Sequence, residues 1–348
     1  MEQLLAMQKQ LLPDLLDVMH TRYNVLHHIR LMQPIGRRNL AAAMPMTERV
    51  LRREVDFLKS QQLIQTASIG MRLTSEGEEL LEGMEPLIKR LFGLGEIEEE
   101  VAAAYGLTDV VIVPGDSDES PVVKKALGRA GAHMLASKAR KGDVIAVNGG
   151  TTVATVAEML TATSTLKETV FVPARGGLGE AVELQASYLA SSMAKKTGAS
   201  YKLMHIPEQM SEETYHSLMN EPHTQEVLQL LHRARIVVHG IGDALAMARR
   251  RKVSRQRIEK LLAGHAVGEA FGYYFDRWGK LVYRMQTTGL QLEDVRQADI
   301  VIAVAGGKSK AAAIASVCRG GNGDILVTDE AAARQMIHLY KSEPHLGG

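Results

Sequence analysis

Glycine pairs followed by hydroxyls, placed directly after short β-branched runs, are the residues of this chain best suited to chemistry. In Asp143-Val144-Ile145-Ala146-Val147-Asn148-Gly149-Gly150-Thr151-Thr152, an apolar run meets two glycines, two threonines and then a helix-compatible segment from Val153 to Leu160. That order reads as strand, tight turn and helix start. A helix start gathers unpaired backbone N–H groups, glycine lets a ligand approach the backbone, and the hydroxyls add donors, so the turn suits a phosphate. The same order also serves as a plain strand-to-helix connection.

Other strand ends carry related groups. They are Pro173-Ala174-Arg175-Gly176-Gly177-Leu178-Gly179, His239-Gly240-Ile241-Gly242-Asp243 leading to Arg249-Arg250-Arg251-Lys252, and Ala305-Gly306-Gly307-Lys308-Ser309-Lys310. Two glycine turns opening helices, with Arg175, the cluster around Arg250, and Lys310, supply more anion binding than one carboxylate needs. A phosphorylated sugar, including one with two phosphates, suits this supply, and Glu269 and Gln185 are candidates to meet its hydroxyls. The plainer alternatives are a solvated helix end for Arg249–Lys252 and an exposed Lys310. Gly240-Ile241-Gly242 resembles the start of a dinucleotide fingerprint, but Leu245 stands where its third glycine belongs. The P-loop, the His-Glu-x-x-His motif and the Gly-x-Ser-x-Gly elbow are absent. The 12 histidines show no metal-ligand spacing, so neither a metal nor a cofactor is expected, and no nucleophile stands with a base.

A second chemistry lies nearer the start. Between His20 and Leu73, nine cations face three anions, a local excess of six, while the whole chain is only +1. A basic module on a mildly acidic body is the pattern of a polyanion-binding head. From Thr47 as N-cap, a helix to about Gln61 places Leu51, Val55 and Leu58 on one face and Arg49, Arg52 and Arg53 away from it. Arginines so presented suit guanine edges or phosphates in a major groove, or else form an ordinary solvated face. Arg37 and Arg38 open the preceding short helix, and Arg72 lies in a following hairpin of 63–66 with 71–74. Three helices and a small hairpin are the winged helix-turn-helix order.

These groups need two kinds of scaffold. The head is expected over residues 1–75, with a leucine-rich first helix over 1–19 that Pro13 breaks or kinks. A helical, Glu-rich linker is expected over 76–105, with a hinge near Gly93 and Gly95. Over 106–348, strands at 109–113, 144–147, 168–172, 201–206, 235–238, 299–304 and 324–327 alternate with helical segments, and 271–283 reads as a β-hairpin. The body is therefore expected to be a doubly wound, mostly parallel α/β sheet, with ligand outside the carboxyl ends of its strands.

Composition agrees with a folded two-domain protein of 348 residues, 45% hydrophobic and 23% charged. Aromatics at 4% disfavour a stacking surface for single strands, and Cys318 alone excludes an internal disulfide. With neither a signal peptide nor a spanning apolar run, a cytoplasmic place is expected.

Longer stretches carry a resemblance. Leu11-Leu12-Pro13-Asp14-Leu15-Leu16, Pro34-Ile35-Gly36-Arg37-Arg38, Glu48-Arg49-Val50-Leu51-Arg52 and Gly115-Asp116-Ser117-Asp118 are similar to stretches of the SorC-type (sorbitol operon regulator) transcription regulators. So are Gly149-Gly150-Thr151-Thr152, Phe171 to Glu180, Val238 to Gly242, Glu269 to Phe275 and Ile302 to Gly307. The resemblance implies a body with the fold of sugar-phosphate isomerases and deaminases, kept as a sensor without their catalysis. It implies a repressor of glycolytic genes induced by fructose 1,6-bisphosphate, bound to operator DNA as an oligomer, a dimer or a tetramer of paired dimers. Effector contacts would fall on Gly149, Gly150, Thr151, Thr152, Arg175, Gln185, Arg250, Glu269 and Lys310. DNA contacts would fall on Arg37, Arg38, Thr47, Arg49, Arg52, Arg53 and Arg72. Lys308 departs from the expected pattern, which gives it no role of its own, and it stands where it could compete with Lys310 for the same phosphate. The competing reading is a sugar-phosphate isomerase or deaminase with an accessory DNA-binding head, against which the missing acid–base signature counts.

Overall fold

The computed structural model describes residues 11–44, 46–177, 181–204, 206–207, 212–285, 287–321 and 323–342. The chain forms two compact units, one ending at Glu96 and one beginning at Ile97.

In the first unit a helix of 20 residues, Pro13–Met32, precedes the helices Arg37–Ala42 and Glu48–Ser60. Pro13 does not break this helix but opens it, because a first-turn position has no intrahelical N–H bond to lose. The expectation for residues 1–10 lies outside the described residues. Thr47 caps the third helix, its Oγ1 accepting the Val50 N–H at 3.4 Å. β1 (Ile64–Ala67) and β2 (Gly70–Leu73) form the antiparallel hairpin. Leu26, Ile29, Leu40, Leu51, Val55, Leu58, Ile64 and Met71 make one core. Leu81 and Ile88 join it from the helix Ser75–Leu91, so the stretch expected as linker begins with an element of the head's core. Each such fully buried side chain contributes about 2 kcal/mol of burial free energy.

The second unit is built on seven strands: β3 (Asp109–Val113), β4 (Val144–Val147), β5 (Val170–Pro173), β6 (Ser200–Tyr201), β7 (Ile236–His239), β12 (Ile300–Val304) and β13 (Ile325–Asp329). They pair in parallel in the order β3-β13-β12-β7-β4-β5-β6, with helices flanking the sheet. β4 and β7 are buried along their whole length, which explains their unbroken apolar runs. The strand expected over 201–206 is confined to the edge pair Ser200–Tyr201, because the chain then turns towards Gly177, whose N–H donates to the Ile206 carbonyl at 2.9 Å.

The expected β-hairpin belongs to a larger insertion. β8 (Gly242–Asp243), β9 (Ala266–Ala270), β10 (Tyr273–Asp276) and β11 (Leu281–Arg284) form an antiparallel sheet in the order β11-β10-β9-β8. The chain steps outward from β4 to β5 and β6, then returns to β7 on the other flank of β4. The order therefore reverses between β4 and β7, and their carboxyl ends make the crevice where such sheets bind ligands.

Candidate functional site

At the head, the helix Glu48–Ser60 buries Leu51, Glu54, Val55 and Leu58 and leaves Arg49, Arg52 and Arg53 exposed. Arg37 and Arg38 are exposed at the start of their helix, and Arg72 is exposed on β2 opposite Gln65. Arg37, Arg38 and Arg52 converge with Glu48 and Leu51 on a concavity of about 300 Å³. Several guanidiniums around one shallow hollow can hold a phosphate backbone. Thr47 is engaged as the helix cap. Sequence reasoning missed the burial of Glu54, although it lies three residues after Leu51 and so beside the buried stripe.

At the crevice, β4 runs into Asn148, whose Oδ1 accepts the Gly149 N–H at 2.9 Å. Gly149 packs so closely on the Leu184–Ala186 backbone that a Cβ would lie 2.7 Å from the Leu184 carbonyl oxygen. Gly150 has φ +122°, where a side chain is strained, and its N–H donates to the same carbonyl at 2.9 Å. It opens the helix Thr151–Met159 with no side-chain cap among the described residues, so the helix start at the carboxyl end of β4 leaves first-turn N–H groups beside Thr151 and Thr152. Half-buried Gln185 belongs to the stretch lying on this turn, and its Oε1 also closes on Gly177.

Arg175, following β5, is 3% exposed. Its Nη1 lies 3.6 Å from Glu269 Oε1, while Arg251 Nη1 lies 2.9 Å from the same oxygen. That oxygen also accepts the Gly272 N–H at 2.6 Å. Burial, and then the charge of Arg251, push Arg175 down to about 9. Burial alone would raise the Glu269 carboxyl, but Arg251, Arg175 and the Gly272 N–H outweigh it and hold it below the usual range. Glu269, expected to meet sugar hydroxyls, is thus already engaged by two guanidiniums and an amide.

Arg250, expected at the site, is exposed; the next residue, Arg251, turns inward. A signal was present, because Ala244, Ala248 and Arg251 recur at helical spacing and all three are buried. Lys310 is half-buried after β12, two strands from β4 on the same sheet edge. The glycine turn before it differs from the expected anion cradle. Asp329 accepts the Gly307 N–H at 2.7 Å, Asp118 accepts Ser309 N–H at 2.8 Å, and Asp116 accepts Lys308 N–H at 3.4 Å. These donors hold the protein's own carboxylates.

A further concavity, of about 360 Å³, lies at the opposite, amino edge of the sheet. Its principal cation, Arg235, donates from Nε and Nη2 to Asp143, each at 2.6 Å. Asp143, with Asp299 at 4.0 Å, already balances that charge and leaves little attraction for an anionic ligand. Among the described residues no cluster of acids, histidines or cysteines could hold a metal, and no helix is long and apolar enough to cross a membrane.

Comparison with known proteins bears on both units. The family described as "Putative sugar-binding domain" matches residues 89–338, and the "CggR N-terminal DNA binding domain" matches residues 18–88. A DNA-binding head joined to a sugar-binding body defines a transcriptional regulator rather than an enzyme. The Central glycolytic genes regulator of Priestia megaterium is 49% identical over 98% of this chain and 100% of its own length. That of Bacillus subtilis is 45% identical over 97% and 99%. The crystal structure of a SorC family transcriptional regulator from Enterococcus faecalis matches with TM-score 0.66 at 44% identity, covering 70% of this chain and 99% of that one. The full-length sorbitol operon regulator SorC of Klebsiella pneumoniae, 20% identical over 88% and 94%, shares the fold with TM-score 0.66. The chain belongs to the SorC family, in the group of the central glycolytic genes regulators.

Proposed function

We propose that the chain is a cytoplasmic repressor of central glycolytic genes whose hold on operator DNA is set by fructose 1,6-bisphosphate. The Gly149–Thr152 turn at the switch point, without a side-chain cap among the described residues, carries this reading, since a helix start offering N–H groups and hydroxyls together favours a phosphate. Buried Arg175 and Arg251 facing one carboxylate support it, because an arriving phosphate lowers the cost of keeping both charged. In this reading residues 1–75 bind DNA, 76–105 link, and 106–348 hold the effector and the contacts of a tetramer of paired dimers. Gln185, Arg250 and Lys310 would close on the effector from neighbouring segments. Effector binding and DNA binding are then coupled, each weakening the other by the same factor.

The test is a DNA-binding titration of the full chain at one fixed salt concentration, because phosphate contacts make affinity strongly salt-dependent. Fructose 1,6-bisphosphate is expected to release duplex at concentrations where fructose 6-phosphate acts weakly and fructose not at all. Equal action by fructose would remove the phosphate from the reading, and no action by any of them would remove the effector.

A further inference from the structure

Glu54 is 3% exposed although it belongs to a helix whose outer face is basic. Its Oε2 accepts the Arg22 Nε–H at 3.0 Å, and its Oε1 accepts Arg53 through Nε at 3.0 Å and Nη2 at 2.8 Å. Arg22 comes from the helix Pro13–Met32 and lies over the Phe57 ring, 3.5 Å from its centroid. The Arg22 half is a brace between two helices, and it accounts for the buried carboxylate.

The Arg53 half has a different shape. Arg53 is 75% exposed, and an exposed pair of this kind adds little stability. What the contact does fix is direction. A guanidinium has five N–H donors, and Glu54 takes the side edge, Nε–H with one Nη2–H. The end pair of Nη1 and Nη2 stays available, and that pair is the fork matching O6 and N7 of guanine. Arg52 differs: it approaches exposed Asp56 only to 3.9 Å, a loose contact that suits a phosphate. A side chain already held in its bound direction loses less freedom on binding.

We infer that Arg53 reads a guanine edge in the operator's major groove, and that Glu54 is the positioning residue presenting it. This rests on the head binding DNA. Glu54 lies on the carboxylate side of an acid–arginine pair facing inward, so its loss alters the aim of Arg53 without removing a DNA contact.

The experiment begins with the full-length protein selecting from a pool of random duplexes, followed by affinity measurements at fixed salt. In the selected duplex each guanine is replaced in turn by 7-deazaguanine, which lacks the N7 acceptor. The parent is expected to lose affinity about tenfold at one guanine of each half-site. Glu54→Gln, close in shape, and Arg53→Lys should both bind duplex while losing most of that penalty. Arg22→Gln should lower the melting temperature and keep the penalty, since it breaks the brace alone. A full penalty in Glu54→Gln would reduce Glu54 to a brace, and a full penalty in Arg53→Lys would show that Arg53 does not read the base. Failure of the parent to select any duplex would instead overturn the DNA-binding reading beneath both.

Discussion

Two glycine turns stand on the same edge of one sheet, and their surroundings separate them. After β4, Gly149 and Gly150 open a helix that has no side-chain cap among the described residues. After β12, Gly306 and Gly307 open onto N–H groups already held by Asp329, Asp118 and Asp116. The same local sequence logic thus produces one turn whose helix start carries no side-chain cap among the described residues and one whose donors are held by carboxylates. What decides is whether a carboxylate from elsewhere in the chain reaches the donors.

Arg175 offers the largest test of this difference, because its charge is buried and it follows β5, the strand next to β4. Arg175→Met keeps the volume and leaves Glu269 its nearer partner, Arg251 at 2.9 Å. Removing the buried charge should weaken effector binding by about 3 kcal/mol, on the order of a hundredfold, while effector-free DNA binding persists. Calorimetric titration with fructose 1,6-bisphosphate reads this directly. An affinity equal to the parent's would detach the arginine cluster from the first turn.

The opposite edge of the sheet supplies the balanced counterpart. Arg235 donates twice to Asp143 at 2.6 Å, and Asp143→Asn, which leaves the guanidinium short of its nearest counter-charge, should cost about 3 kcal/mol of stability without touching effector affinity. Burial alone would raise the Asp143 carboxyl, but its bond with Arg235, together with Arg140, outweighs that and holds it below its ordinary 3.8. A carboxyl depressed on folding adds stability above its unfolded value and loses it as pH falls through the folded one. The parent's melting temperature should therefore drop more steeply than that of Asp143→Asn as the pH falls below about 4. Parallel acid limbs would remove the pair from that role.

The parts of the site that were legible in the sequence are the local ones. The Gly149–Thr152 turn and the Leu51-Val55-Leu58 stripe depend on neighbours within one or two turns of chain, so spacing alone exposes them. Arg251 and Glu54 were legible too, each at helical spacing from buried residues, but a run of arginines reads as solvated and a lone Glu as surface. The partners of the second turn were not legible, because Asp116 and Asp118 lie 192 and 191 positions from the groups they hold. The four-stranded insertion was missed for a related reason. β8 has two residues and pairs with a strand beginning at Ala266, too short a run to show alternation.

The second turn gives the smallest effect and the sharpest discrimination. Asp118→Ala strips the acceptor from Ser309 N–H and leaves Asp329 holding Gly307. Loss of one such capping bond costs about 1 kcal/mol, seen as a modest fall in melting temperature. If the turn is only a satisfied structural element, the affinity for fructose 1,6-bisphosphate stays within about twofold of the parent, a free-energy change below 0.5 kcal/mol. If the amides of the turn instead join Lys310 in the effector site, removing a competing carboxylate strengthens binding, because a phosphate no longer has to displace it. A tenfold gain would therefore make the two turns partners in one site, with Asp118 as the internal anion that a second phosphate replaces.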